Sequence, residues 1–425
     1  MQEEGEEREE EKGDIITLHN SEFYHAVKDE DLGRMESFSR KYGSNCLIQM
    51  QQSIPGEDFF KGFAVRPLHL AVSYRKMKSI QFLLTVGADP EMRNQLGQTT
   101  LHLAVSSWPN ICAALLKPGS KFPAAAIAAQ GHAEACLRLL CEHGVNINAE
   151  VERQSRQTAL HLSVRFAAQS AVQILSSFGA EVDAVDSSGM TPLHMAAGML
   201  QKAHIECLIK EGADVNKGVK HSGNTPLHLA AMSVAMRSSK TLKDDISCVS
   251  ELLEHGAEVD AANKAGVTPL QQACSMGNEE LLDLLLRHGA DINKLSASGE
   301  NCLFLFLNYR SNVHNNSLLV KLLSLTSPLT LYNHSGLLPS TLTLPCFCKQ
   351  KDRLLELIQQ PRRLQDICKS VIYLKHIQGD REGMRKILPE KIYDFVFSSW
   401  ENIHISFEMD AEQDSFNDRF GMTPS

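Results

Sequence analysis

His69, His102, His161, His194 and His228 are the residues whose type and spacing first suggest chemistry. Imidazole serves as a general base near neutral pH and is a common metal ligand. His69 and His102 are 33 residues apart, His161 and His194 are 33 apart, and His194 and His228 are 34 apart. A metal or catalytic centre needs several side chains converging on one point. Side chains that recur at a fixed interval of this size instead fall one per structural repeat, strung along a stack. The spacing therefore predicts a structural role for all five, and neither metal nor cofactor is expected.

Other reactive patterns are missing. The chain has no Gly-rich phosphate loop, no HExxH and no GxSxG. Cys346-x-Cys348 lacks a second pair at zinc-finger spacing. No catalytic residue is assigned, and the chain reads as non-enzymatic.

The elements that position the histidines are clearest between Gly189 and Asn216. Thr191 can supply an N-cap oxygen, and Pro192 suits the first helical position, where an N–H has no partner anyway. Leu193, Ala196 and Ala197 give this first helix a small apolar face. Ile205, Leu208 and Ile209 recur at the spacing of a second helix. Gly212 follows, where a left-handed glycine ends a helix. Gly87, Gly144, Gly179, Gly256 and Gly289 take the same place in other units.

TPLH at 191–194 and 225–228, with GADVN at 212–216 and GADIN at 289–293, resembles the ankyrin repeat. The resemblance implies an all-α solenoid of stacked helix–turn–helix units. It also implies that each histidine bonds backbone of the neighbouring unit, and that a protein partner is bound through the concave face. Met92, Asn94, Gln95, Val185, Ser187, Lys217, Val219, Lys220, Lys264, Ala265, Leu295 and Ser296 are the variable positions expected on that face. Asn148, Asn216 and Asn293 each follow a Leu by eight residues (Leu140, Leu208, Leu285). This resembles the asparaginyl-hydroxylation pattern of ankyrin families; the same residues are also the plain repeat consensus.

Along the chain, residues 1–13 read as an acidic disordered tail and 14–62 as a degenerate N-terminal capping repeat. Ankyrin repeats are expected over 63–325, a degenerate last repeat over 326–361 and a disordered tail over 401–425. Two intervals are long. His102 to His161 spans 59 residues, and Thr225 to Thr268 spans 43. The excess falls at 106–131 and 232–247, between the two helices of a unit. These insertions mark either a binding edge or neutral loop expansion.

Residues 362–400 depart from the repeat. Leu364, Cys368 and Ile372 are spaced four apart, and Leu388-Pro389 follows. Leu-x3-Cys with a later aliphatic resembles the elongin-binding half of a SOCS box, as in the ankyrin-and-SOCS-box ubiquitin-ligase adaptors. The resemblance implies that Leu364, Cys368 and Ile372 would meet elongin C of the elongin B–C pair, and that Leu388 and Pro389 would help select a cullin. Arg363, Glu390 and Lys391 depart from the usual pattern. The competing reading is a helical cap on the last repeat, and one segment can do both.

Charge is unevenly placed. Of the net −9, residues 1–12 contribute −5, from seven Glu against Arg8 and Lys12. Residues 349–391 carry eleven Lys or Arg against six Asp or Glu, but lack a series of interleaved aromatic stacking residues. With Tyr373 as its one Phe, Trp or Tyr and no dense Lys or Arg run, that stretch reads as a solvated helical face, with no nucleic acid or membrane partner expected. The eleven cysteines read as reduced thiols, which points to an intracellular monomer in cytoplasm or nucleus.

Overall fold

The computed structural model describes residues 17–18, 21–49, 64–108, 123–152, 155–236, 242–360, 362–377 and 389–397. The stretches expected as tails, 1–13 and 401–425, and Leu388 lie outside the described residues. The chain divides into two compact units, residues 1–195 with 210–213, and residues 196–209 with 214–425.

In the first unit, α1 (Ser21–Asp29), α3 (Pro67–Ser73), α5 (Thr100–Ser106) and α7 (Ala159–Arg165) stack in sequence as one layer. A second layer holds α2 (Leu32–Tyr42), α4 (Met77–Thr85), α6 (Pro123–Glu142) and α8 (Gln169–Ser177). The first-layer helices α3, α5 and α7 have seven residues each, too few to persist alone in water. Burial holds them: Leu70, Leu101 and Leu160 are almost fully enclosed. Each such side chain contributes roughly 2 kcal/mol.

Strands β1 (Thr17–Leu18), β2 (Leu47–Gln49) and β3 (Ala64–Val65) form a small sheet, β1 parallel and β3 antiparallel to β2. The fold is otherwise helical among the described residues.

Helices α9 (Pro192–Gly198) and α10 (Lys202–Lys210) follow. In the second unit, α11 (Pro226–Met236), α13 (Pro269–Ser275) and α15 (Cys302–Leu307) form the first layer. Their partners are α12 (Leu242–Glu254), α14 (Glu279–Arg287) and α16 (Asn316–Leu325). Two 3-10 turns, Ser340–Thr343 and Pro345–Phe347, precede α17 (Cys348–Gln359). Helix α18 (Leu364–His376) packs on α16, and α19 (Glu390–Phe397) packs on α18.

The insertions lengthen helices where they are described. Residues 123–131 are the first turns of α6, which runs 20 residues against nine in α4 or α8. Pro123 followed by an alanine-rich run favours a helix start. Helices α11 and α12 have 11 and 13 residues, against seven and nine in α9 and α10. Residues 232–236 and 242–247 are therefore helical. Residues 109–122 and 237–241 lie outside the described set.

Candidate functional site

The histidines are buried side chains bonded to backbone. Thr99 N–H donates to His102 Nδ1 at 3.2 Å, which leaves the ring proton on Nε2. That nitrogen donates to Gln157 O at 3.2 Å. His161 and His228 repeat the arrangement, with Nε2 donating to Met190 O at 3.1 Å and Val267 O at 3.0 Å. His194 accepts from Thr191 in the same way, and His69 Nε2 reaches Met92 O at 2.9 Å. Burial pushes His69 and His102 down to about 4, and it lowers His161 and His228 as well. In His102, His161 and His228 both ring nitrogens are bonded to backbone, which leaves neither free for a metal or a substrate. Among the described residues, no group of three or more His, Cys, Asp or Glu could hold a metal ion.

The six predicted helix-end glycines have φ between 73° and 92°, and at Gly87, Gly144, Gly179, Gly212 and Gly256 a Cβ would sit in open space. Asn148, Asn216 and Asn293 hold the next unit in place. Their Oδ1 atoms accept the N–H of Glu181 (2.8 Å), Glu258 (2.8 Å) and Ser327 (2.7 Å). Asn45 and Asp260 make the same bond to Asp89 and Asp291. The sequence reading passed over these two, although Asp260 stands four residues after Gly256, as Asn293 does after Gly289.

Hairpin-like fingers precede the first helices from α5 onward. Backbone bonds close the fingers Asn94–Gln98 and Asp186–Met190 in the first unit. In the second unit they close Val219–Asn224, Asn263–Val267, Ser296–Glu300 and Asn333–Leu337. The side chains of Asn94, Asp186, Asn263 and Asn333 fold back to accept two N–H groups within their own fingers. Successive fingertips bond to each other. Lys264 N–H donates to Ser222 O (2.9 Å), Ala297 N–H to Ala265 O (3.0 Å), and His334 N–H to Ser298 O (2.9 Å).

These tips carry glycines to which the sequence reading assigned no role. Gly97, Gly223, Gly266 and Gly299 have φ of 70–78°, and a Cβ on any of them would strike the next finger. Each stands two residues before an N-cap position, a periodic signal available in the sequence. Of the expected surface positions, Gln95, Val185, Ser187, Lys220, Lys264, Ala265 and Leu295 are exposed and Met92, Asn94 and Lys217 half-buried, whereas Val219 and Ser296 are buried. Val219 and Ser296 start their fingers, where the backbone turns inward to close the hairpin bond.

Helix α18 is held by its buried side. Arg362 donates to Leu323 O (2.6 Å), Ser324 O (3.2 Å) and Thr326 O, covering the last carbonyls of α16. Tyr373 and Ile377 are buried, and Lys369 lies 5.4 Å over the Phe395 ring of α19. The opposite side is apolar and exposed: Leu364 at 75%, Val371 at 56%, with Ile367 and Cys368 between them. Ile372 is only half-exposed. Seven residues return a helix to within about 20° of the starting direction, whereas eight overshoot by about 80°, so Val371 continues the row from Leu364. Pro389 is exposed just before α19, and its carbonyl accepts the N–H of Ile392 at 2.8 Å. No helix among the described residues is long and apolar enough to cross a membrane.

A family model described as ankyrin repeats (3 copies) matches residues 68–149, 119–186, 167–243 and 235–296. Among curated relatives, the B-cell lymphoma 3 protein homolog of Mus musculus is 30% identical over 239 residues, 52% of this chain and 49% of that protein. The nuclear factor NF-kappa-B p105 subunit of Gallus gallus is 34% identical over 148 residues, 31% of this chain and 15% of that one. Ankyrin repeat and SOCS box protein 16 of Mus musculus is 27% identical over 267 residues, 55% of this chain and 57% of that one. The chain thus spans less than two thirds of each of these relatives. The solved ankyrin repeat domain of Bcl-3 aligns with a TM-score of 0.46 and 25% identity, covering 57% of this chain and 93% of that one. The human ASB11 ankyrin repeat domain gives 0.43 and 23%, covering 57% and 91%. Bonded histidines, capped fingers and matches running from residue 68 to 296, more than half of the 425 residues, agree: the chain belongs to the ankyrin-repeat family.

Proposed function

We propose that the protein is a non-catalytic recognition scaffold that binds a protein partner across its fingers and first helices. Ankyrin repeats are protein-interaction modules, and this chain is similar to several proteins that contain them. The observation that carries the reading is the finger row. Its backbone is fixed in register by tip-to-tip hydrogen bonds, while residues such as Lys220, Lys264 and Ala265 stay exposed. A preorganised surface loses little freedom on binding. The test is partner capture by Ala265→Arg, on a fingertip, against Arg287→Glu, at the end of α14. Loss with the first and retention with the second is expected. The reverse pattern would sink the reading.

A second reading is favoured by the exposed row on α18. In it the protein is a substrate adaptor whose Leu364 and Cys368 hold elongin C, and whose second helix, beginning after Pro389, recruits a cullin. The similarity to ankyrin repeat and SOCS box protein 16 supports it. An apolar face left open on a helix anchored by Arg362 suits a partner that supplies the missing cover. Purified elongin B–elongin C should bind the full chain and fail with Leu364→Ala plus Cys368→Ala. Equal binding by the double variant would exclude these two residues.

Hydroxylation of Asn148, Asn216 and Asn293 belongs with this proposal. Their bonds to the next unit would have to open for an oxygenase to reach them. Mass spectrometry of peptides from the cellular protein would show one added oxygen at these positions, or none.

A further inference from the structure

The finger row of the second unit is polarised. The stretches 217–224, 261–267, 294–300 and 331–337 contain Lys217, Lys220, Lys264 and Lys294 against one acid, Glu300, which closes the third finger and accepts from Ser296 Oγ at 3.3 Å, in a chain of net charge −9. Lys220, His221 and Lys264 are exposed on the first two fingers. Lys264 Nζ donates to the Lys220 backbone oxygen at 2.6 Å, which holds that ammonium against the first finger. Among the described residues, neither ammonium has a carboxylate within ion-pair distance. Lys294 differs: its Nζ turns back to Asp260, 3.2 Å from the backbone oxygen and 4.0 Å from Oδ2. The charge therefore sits at the start of the row.

The far end is apolar. Leu295, Tyr332 and Leu337 are 48%, 46% and 61% exposed, beside or within the third and fourth fingers. The tip-to-tip bonds from Ser222 to His334 make the two ends one continuous edge. A cationic end without its own counter-charge attracts carboxylates, and exposed large apolar groups gain by being covered.

We propose that this edge receives an extended partner segment with carboxylates at one end and large apolar side chains at the other. The inference rests on the recognition reading and assigns the chemistry of the partner. Helix layers repeat every 8–10 Å, so four fingers span roughly 30 Å. An extended chain covers that with about nine residues.

The test uses the full chain and two fluorescein-labelled ten-residue peptides. Each has four Glu at one end and Leu-Trp-Leu at the other, in the two opposite orders. A control has Lys in place of Glu, and binding is read by fluorescence anisotropy. One of the two acidic peptides should bind. Its affinity should fall at least tenfold with Lys220→Glu plus Lys264→Glu, and likewise between 50 and 500 mM salt, roughly as expected for charge-driven association. Leu295→Ser plus Leu337→Ser should weaken it at least threefold. All four positions are exposed, and unchanged circular dichroism and melting would establish that the variants fold.

Several results would overturn the proposal: no binding of either order, equal binding of the Lys control, or indifference to the Lys→Glu changes. Displacement of the probe by equimolar peptide 401–425, itself acidic and rich in apolar residues, would make the chain's own C-terminal segment the occupant in place of a separate partner. A protein partner lost with Ala265→Arg but unaffected by the Lys→Glu pair would overturn the charge assignment alone and leave the scaffold reading intact.

Discussion

Gln271 accepts the Thr268 N–H through Oε1 at 2.9 Å, in the position that His228 fills against Thr225 one unit earlier. Its Nε2 donates to Lys294 O at 2.7 Å and Glu300 O at 3.2 Å. The amide thus makes both bonds of the imidazole without a titrating ring. In the next unit Asn301 sits at the N-cap itself, where it accepts from Phe304 N–H at 2.7 Å and makes the bond to the following segment by donating to Thr330 O at 3.0 Å.

This substitution predicts how the histidines respond to acid. Folding lowers His69 and His102 from 6.5 to about 4, so the unfolded chain binds more protons between those pH values. Stability from these groups is complete above pH 6.5 and is lost as pH falls toward 4. The loss is on the order of 3 kcal/mol per histidine. His102→Gln should melt within a few degrees of wild type at pH 7.5 and retain more stability at pH 5. Equal acid sensitivity of the two proteins, followed by thermal melts across pH, would show that another group controls the acid response.

Arg156 has φ of 48° at the finger position that other units give to glycine. It is compensated in part by two bonds to Glu150, at 2.7 and 2.9 Å. Arg156→Gly should therefore be neutral or stabilising by up to about 1 kcal/mol in urea unfolding. Gly266→Ala should cost more than about 1 kcal/mol, because its φ is 70° and its Cβ would come 2.4 Å from Ala297 N. A silent Gly266→Ala would mean that the fingers are not packed against one another.

Arg362 is the tie between α18 and the end of α16. Arg362→Ala strips the hydrogen-bond donors from three carbonyls and should destabilise that junction by about 2 kcal/mol. Hydrogen exchange should rise in α18 and the last turn of α16, while α3 and α5 exchange as before. Unchanged protection in α18 would assign its anchoring to Tyr373 and Ile377 alone.

Repetition made the fold legible. The histidine interval, the TPLH runs and the helix-end glycines all report one unit copied along the chain. What escaped notice was also partly periodic. Gly97, Gly223, Gly266 and Gly299 precede their N-caps by two residues, and Asp260 continues the asparagine series. Helical extension at 123–131 was available from its alanine content and was masked by treating the insertion as a loop. Other features have no sequence signal. That Val219 and Ser296 turn inward depends on finger closure, and that Val371 rather than Ile372 extends the exposed row depends on how α18 lies on α16.

The most direct test of protein recognition is site-specific photocrosslinking in cells, with the photoreactive residue at Ala265 on a fingertip or at Arg287 at the end of α14. Both positions are exposed, so both are equally open to chance collisions. A discrete protein crosslinked from Ala265 and absent from Arg287 is the predicted result. No adduct at Ala265, or the same adducts from both positions, would contradict a partner-binding finger row.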